Sequence, residues 1–309
     1  MKIGLQIPRF DWPGSPHNIG KKLVEIAKTA DDVGFSSLWV MDHFFGLGLG
    51  WGPPEVPMLE GYTTISFLAA ATQRIKVGLM VTGNFYRHPG ILVKTVTTLD
   101  VLSGGRAYFG IGAGGYEREA RGLGVPFPPL RERMERLEET LQITKRMWSE
   151  DTAPFEGKHY RLEEPMNHPQ PLSKPHPPIL IGGRGEKQTL RMVAIYGDAC
   201  NLQLGTPLPG YPEWYIETYH KRAEILTHKL AVLKEHCQRV GRSYDDIERT
   251  VLGSIKLAPG AMDVNEVVEV CHELAEMGFQ HVIYNMPDTH EIRPLEIIAS
   301  EIIPRVSAF

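Results

Sequence analysis

Cysteine is scarce in this chain. Cys200, Cys237 and Cys271 stand far apart in 309 residues, with no C-x-x-C pair. That pattern excludes a disulfide framework and a zinc site of the usual spacing. It fits three small buried hydrophobes in a reducing, cytoplasmic setting. No apolar run approaches the ~20 residues of a membrane span. Met1–Leu5 leads straight into strand-like sequence, so no signal peptide is expected. Neither sign of charge dominates: 33 Lys and Arg against 37 Asp and Glu leave −4. No broad attraction to nucleic acid or to an anionic membrane follows from such a balance. Internal repeats and low-complexity tracts are also missing, and no Lys or metal-binding cluster stands at a strand end, as a cofactor-free lyase would need.

What is present is an alternation of strand-like and helix-like segments. Lys2–Ile7, Ser37–Met41, Lys76–Thr82, Ala107–Ile111, Ile179–Ile181, Ala199–Leu202, Arg249–Lys256 and His281–Met286 read as eight strands. Between them, Ile19–Val33, Thr63–Thr72, Gly90–Leu102, Leu130–Trp148, Lys187–Ile195, Pro212–Val240, a helix capped by Asp263 and Glu266, and Arg293–Ile303 read as helices. Eight βα units predict a parallel (β/α)8 TIM barrel, one domain over residues 1–309. Seven prolines between Thr152 and Pro178 exclude a helix there. That segment is expected to be an insertion after the fourth βα unit, with one short hairpin near His159–Leu162.

Polar residues gather just after strands two to five, the carboxyl face of such a barrel. Val40-Met41-Asp42-His43 ends strand two. An imidazole at a dry barrel mouth suits proton transfer near neutral pH, and Asp42 is placed to accept hydrogen bonds from a ligand. The alternative is a capping Asp and a structural His. After strand three, Asn84, Arg87 and His88 are available for a ligand or for loop carbonyls, and Pro89 fits a helix start. Gly110–Gly115 lets backbone approach a flat ligand. It lacks the βαβ unit and downstream acid of a dinucleotide fingerprint. Gly182-Gly183-Arg184-Gly185-Glu186 leads into a helix, where free N–H groups attract phosphate. Phe10, Trp12, Trp51 and Tyr116 either wall an apolar pocket or pack on their own loops.

Together these segments resemble the luciferase-like flavin oxidoreductase family, and within it the branch that depends on coenzyme F420, a 5-deazaflavin. The matching text is Gly4–Pro8, Trp39–Phe44, Thr82–Pro89 and, most specifically, Thr98-Leu99-Asp100-Val101-Leu102-Ser103-Gly104-Gly105-Arg106. The likeness is strongest over Lys2–Trp148 and Ile179–Asn201, and weak after Leu202. It implies a barrel with an insertion, a homodimer, and a ring bound at the carboxyl face. Carried over by position, His43 is the acid/base and Asp42 touches the cofactor. Leu79-Met80 is a bulge with a non-proline cis peptide. Thr82, Ala113 and Gly114 line the ring, with Asn84 nearby. Gly182, Gly183, Gly185 and Glu186 hold the phosphate. One departure stands out: sugar-phosphate dehydrogenases of the family carry Glu where this chain has Gly115, and Glu117 and Glu119 are the nearest acids.

The resemblance thus implies hydride transfer between F420 and a small-molecule substrate, with a separate enzyme that reduces the cofactor as a further expected partner. The rival expectations are an FMN-dependent monooxygenase using reduced flavin and O2, and a catalytically idle flavin-binding protein.

Overall fold

The structure is a computed structural model that describes residues 1–257 and 261–309. Its strands are β1 (Lys2–Ile7), β2 (Ser37–Val40), β3 (Lys76–Leu79), β4 (Phe109–Gly112), β5 (Ile179–Gly182), β6 (Ala199–Gly205), β7 (Glu248–Ser254) and β8 (His281–Asn285). All pair in parallel, and β1 joins β8. The circle closes between β3 and β4 through a Val77–Ala107 bridge and a two-residue strand, Thr82–Gly83, paired with Ile111–Gly112. This is the (β/α)8 TIM barrel that the eightfold alternation predicts.

Strand alternation sorts the side chains into two cores. Leu5, Ile7, Leu38, Val40, Val77, Leu79, Ile179 and Ile181 face the surrounding helices. Trp39, Met80, Tyr108, Leu180, Ala199 and Ile283 pack inside the barrel. Trp39 takes so much of this space that a Cβ on Gly78 would lie 2.7 Å from its ring. Next along each strand towards the carboxyl end come Gln6, Asn201, Gln203 and Asn285, a polar layer that floors the mouth.

The outer helices include α1 (Ile19–Asp32), α2 (Gly61–Ala70), α3 (Pro89–Leu102), α4 (Glu117–Gly122), α5 (Leu130–Trp148), α6 (Thr189–Tyr196), α7 (Glu213–His220), α8 (Arg222–Val240) and α9 (Val264–Glu276). The α5 span is the one its apolar periodicity predicts. At α9, Asp263 accepts from the Glu266 N–H at 2.9 Å, as the expected cap. The Pro212–Val240 helix is instead two helices that part at Lys221. The first buries Tyr215, which lines the mouth, and Tyr219, which donates to Glu266 of α9, and the second buries Leu226, Leu230 and Leu233. One straight rod cannot present both faces. Likewise the last helix is interrupted by a π turn over Ile298–Ile302, just before Pro304, which has no N–H to continue the ladder.

The family-like segment Thr98–Arg106 acts as a brace. Arg106 donates to the Ala69, Thr72 and Ile75 carbonyls at 2.8, 3.2 and 2.9 Å. Asp100 accepts from Ser173 N and Oγ at 2.8 and 2.7 Å and so pins the Pro-rich insertion. That insertion holds one hairpin, Phe155–Glu156 against Arg161–Leu162.

The opposite end of the barrel is locked by Glu248. It accepts from Lys2 Nζ at 2.8 Å and Tyr108 Oη at 2.9 Å, and His281 Nδ1 lies 3.6 Å away. Burial opposes ionisation of this carboxyl, but His281 and Lys2 outweigh it and bring the pKa from 4.5 to about 2. A depressed carboxyl stabilises the fold fully above 4.5, and that contribution is lost as pH falls towards 2. Glu248→Gln is therefore expected to cost about 1–3 kcal/mol at neutral pH. Chemical denaturation at stepped pH should show the gap from the unmodified chain narrowing below 4.5; a pH-independent gap contradicts this account.

Candidate active site

A cavity of about 1180 Å³ opens at the carboxyl face, above the polar floor. Its walls come from the segments after β2 to β6, and His43, Thr82, Ala113, Gly114, Gly182, Gly183, Gly185 and Glu186 all line it.

His43 leaves β2 with its Nδ1 3.1 Å from Glu119 Oε1. Glu119 projects from the short helix α4, and its side chain is 0% exposed, against 26% for His43. The same carboxylate accepts from the N–H groups of Phe44 and Phe45 and from Tyr86 Oη. Burial alone would favour the neutral acid. The hydrogen bonds from His43, Tyr86 and Phe45 outweigh it and hold Glu119 below the usual carboxylate range. An ionised carboxylate only accepts. Nδ1 must therefore carry the proton it donates, and Nε2, which has no partner among the described residues, presents a bare lone pair when the ring is neutral. Tyr116 packs edge-on to His43 at 6.1 Å and donates to Gly46 O at 3.1 Å, tying the loop after β2 to that after β4.

The turn between β5 and α6 forms the facing wall. The backbone N–H groups of Arg184 to Gln188 find no acceptor among the described residues. Gly183 has φ +150°, a region that disfavours any side chain, and a Cβ on Gly185 would lie 2.9 Å from Thr189 Oγ1. Arg184 lies over the Trp214 ring at 4.0 Å, and Glu186 pairs with Lys229 at 3.0 Å.

The luciferase-like monooxygenase family profile matches residues 1–278. The chain belongs to that family. It is 24% identical to the F420-dependent glucose-6-phosphate dehydrogenase of Microbacterium testaceum, over 96% of this chain and 97% of the relative. Among solved structures it resembles an F420-dependent secondary alcohol dehydrogenase in complex with an F420–acetone adduct, at TM-score 0.78 and 19% identity over 99% of each chain. It also resembles a monooxygenase from Streptomyces bottropensis, at TM-score 0.78 and 18% identity over 98% of this chain and 99% of that one.

In this luciferase-like chain some expected residues sit elsewhere. Leu79 does not line the cavity: strand alternation turns it outward, where it packs under Gly61 of α2. Met80 and Val81 face the cavity instead, and the cis peptide joins those two residues, one position beyond the expected bulge. Asn84 is buried in the wall, because the chain turns at once and Tyr86 N donates to Gly83 O at 3.1 Å. The Asp42 carboxylate is enclosed, with Arg87 gripping it at 2.7 and 2.9 Å and Gly83 N–H at 2.9 Å. Asp42 lines the cavity, but its side chain is 0% exposed and braces the strand end, while Arg87 also reaches Glu60. His88 caps α3 through Gly90 N at 3.3 Å. Trp12 packs on His290 outside the cavity, whereas Trp51 lines it.

Sequence reasoning did not assign Glu119 to His43, although Glu119 was one of the two acids near Gly115. Positions 117 and 119 point to opposite sides of a helix, and only the fold decides which one turns inward. The pair has a direct readout. In nitrogen NMR the neutral His43 ring is expected as the Nδ1–H tautomer, changing to Nε2–H in Glu119→Gln, whose amide can donate to Nδ1. Equal tautomer populations in both proteins would remove the assigned hydrogen bond.

Proposed function

We propose that the protein is an oxidoreductase that passes hydride between coenzyme F420 and a small organic substrate. The observation that carries this reading is the opening of the His43 Nε2 edge and the 182–185 glycine turn onto one cavity. Relatives whose names specify F420 support the choice of ring. The residues fit such a group. The uncommitted N–H groups at 184–188 suit its phosphate. At the mouth a Cβ on Gly182 or on Gly112 would meet Val81 at 3.0 Å, so both glycines let the ends of β4 and β5 pack closely against Val81, which lines the cavity.

When bound, the deazaflavin supplies a ring carbon that takes or gives up hydride. The chain's own contribution is positioning and proton handling. Glu119 fixes the His43 ring and keeps Nε2 ready to take a proton from a substrate hydroxyl, or to return one to a carbonyl oxygen. The Met80 carbonyl is held by Gln6 Nε2 at 2.8 Å, and Asn285 Nδ2 holds Gln6 Oε1 at 2.6 Å, so the floor under the ring site is rigid. Tyr116, Trp51 and Tyr215 restrict water at the mouth.

Absorbance titration of the purified protein with F420 and with FMN tests the cofactor, with saturable and tighter F420 binding expected. FMN bound more tightly would favour the monooxygenase reading, which shares this fold. His43→Ala should lose about 10²–10⁴-fold in turnover while F420 affinity stays within about twofold; unchanged turnover removes His43 from the chemistry.

The homodimer belongs to the same reading. Phe67 on α2 and Ile91 and Leu102 on α3 expose large apolar side chains, the kind of surface a partner copy covers. Sedimentation at micromolar concentration should give twice the chain mass, and a monomer would refute it.

A further inference from the structure

The mouth of the cavity carries information about the substrate. Trp51, at the tip of the loop after β2, reaches across to the segment after β6. It packs on Tyr211 at 5.1 Å and Tyr215 at 5.3 Å, and Tyr215 meets Trp214 at 5.3 Å. Trp51, Trp214 and Tyr215 of this bridge line the same cavity as His43, together with Leu47 and Tyr116.

Cations are placed differently. Among the lining residues Lys and Arg occur at 133, 184 and 187. Arg184 and Lys187 belong to the glycine turn, the site of the cofactor phosphate in the proposed function. Arg133 donates to the Gly114 and Pro128 carbonyls and lies over Phe127 at 4.3 Å, so its guanidinium is committed to the wall. Arg9, which lies against Gly52, is paired with Asp11 at 2.9 Å and does not line the cavity. A second anionic group brought in by a substrate would therefore lose its hydration beside this aromatic bridge without a countercharge, which is strongly unfavourable.

We propose that the substrate is an uncharged, largely apolar alcohol or carbonyl compound, held between His43 and the Trp51–Tyr215 bridge. A sugar phosphate, the substrate named for the glucose-6-phosphate dehydrogenases, does not match this chemistry. The inference rests on the proposed hydride transfer. In the oxidative direction the substrate C–H bond breaks and its electron pair leaves as hydride to the oxidised deazaflavin. The O–H bond breaks, its proton goes to His43 Nε2, and the C=O double bond forms. Reduction reverses each move.

The test uses the full chain. Calorimetry in saturating inorganic phosphate, which occupies the glycine turn, compares cyclohexanone with glucose 6-phosphate, and turnover with saturating F420 compares cyclohexanol with glucose 6-phosphate. The ketone is expected to bind and the sugar phosphate not to, with kcat/KM favouring the alcohol by about 100-fold or more. Trp51→Ala should raise the KM for cyclohexanol about tenfold, leave F420 affinity within about twofold, and be largely rescued by Trp51→Phe. Preference for glucose 6-phosphate in either measurement, or an unchanged KM in Trp51→Ala, overturns the proposal. Failure of F420 to bind overturns the hydride reading instead, and the calorimetric comparison still decides the substrate class.

Discussion

The mouth of this barrel depends on one buried carboxylate. Glu119 has no exposure to water and gathers four donors: the His43 ring, the Tyr86 hydroxyl and the N–H groups of Phe44 and Phe45. A carboxylate has about four acceptor positions, so it is saturated. That arrangement fixes the tautomer of His43, the path of the chain as it leaves β2, and the position of the loop after β3 through Tyr86. The loop carrying Trp51 starts from this anchored point and so inherits its geometry.

A second brace lies beside it. Arg87 and the Gly83 N–H enclose Asp42, so the two acids near the site divide their tasks. Asp42 neutralises a nearly buried guanidinium and ties β2 to β3. Glu119 orients the imidazole. Both side chains are 0% exposed, and the titratable atom of this cluster left without a protein partner among the described residues is His43 Nε2. Below them the interior changes character along the strands, from the apolar layer around Trp39 to the amides of Gln6, Asn201, Gln203 and Asn285. A flat polar ligand can rest on such a floor without burying unpaired groups.

Much of the scaffold was legible from local pattern. Apolar residues three and four apart marked α5, and β-branched runs bounded by turns marked the strands. Gly182–Gly185 before a helix marked the turn with free N–H groups. Boundaries slipped where a local rule met a tertiary demand. The helix through Lys221 divides because two buried faces look in different directions, and the last helix yields to a π turn ahead of Pro304. The Thr98–Arg106 segment is distinctive in sequence, yet its side chains satisfy helix-end carbonyls and pin the insertion, far from the mouth.

Periodicity along the chain was enough to determine the barrel, the position of the insertion, and His43 with the glycine turns at the carboxyl face. Those features depend on neighbours within a few residues. Three pairings were decided only by the closed fold: Glu119 with His43, Arg87 with Asp42, and Trp51 with Tyr215. Their partners are 76, 45 and 164 positions apart. What brings each pair together is strand register and the reach of loops across the mouth, and no spacing in the sequence encodes that distance.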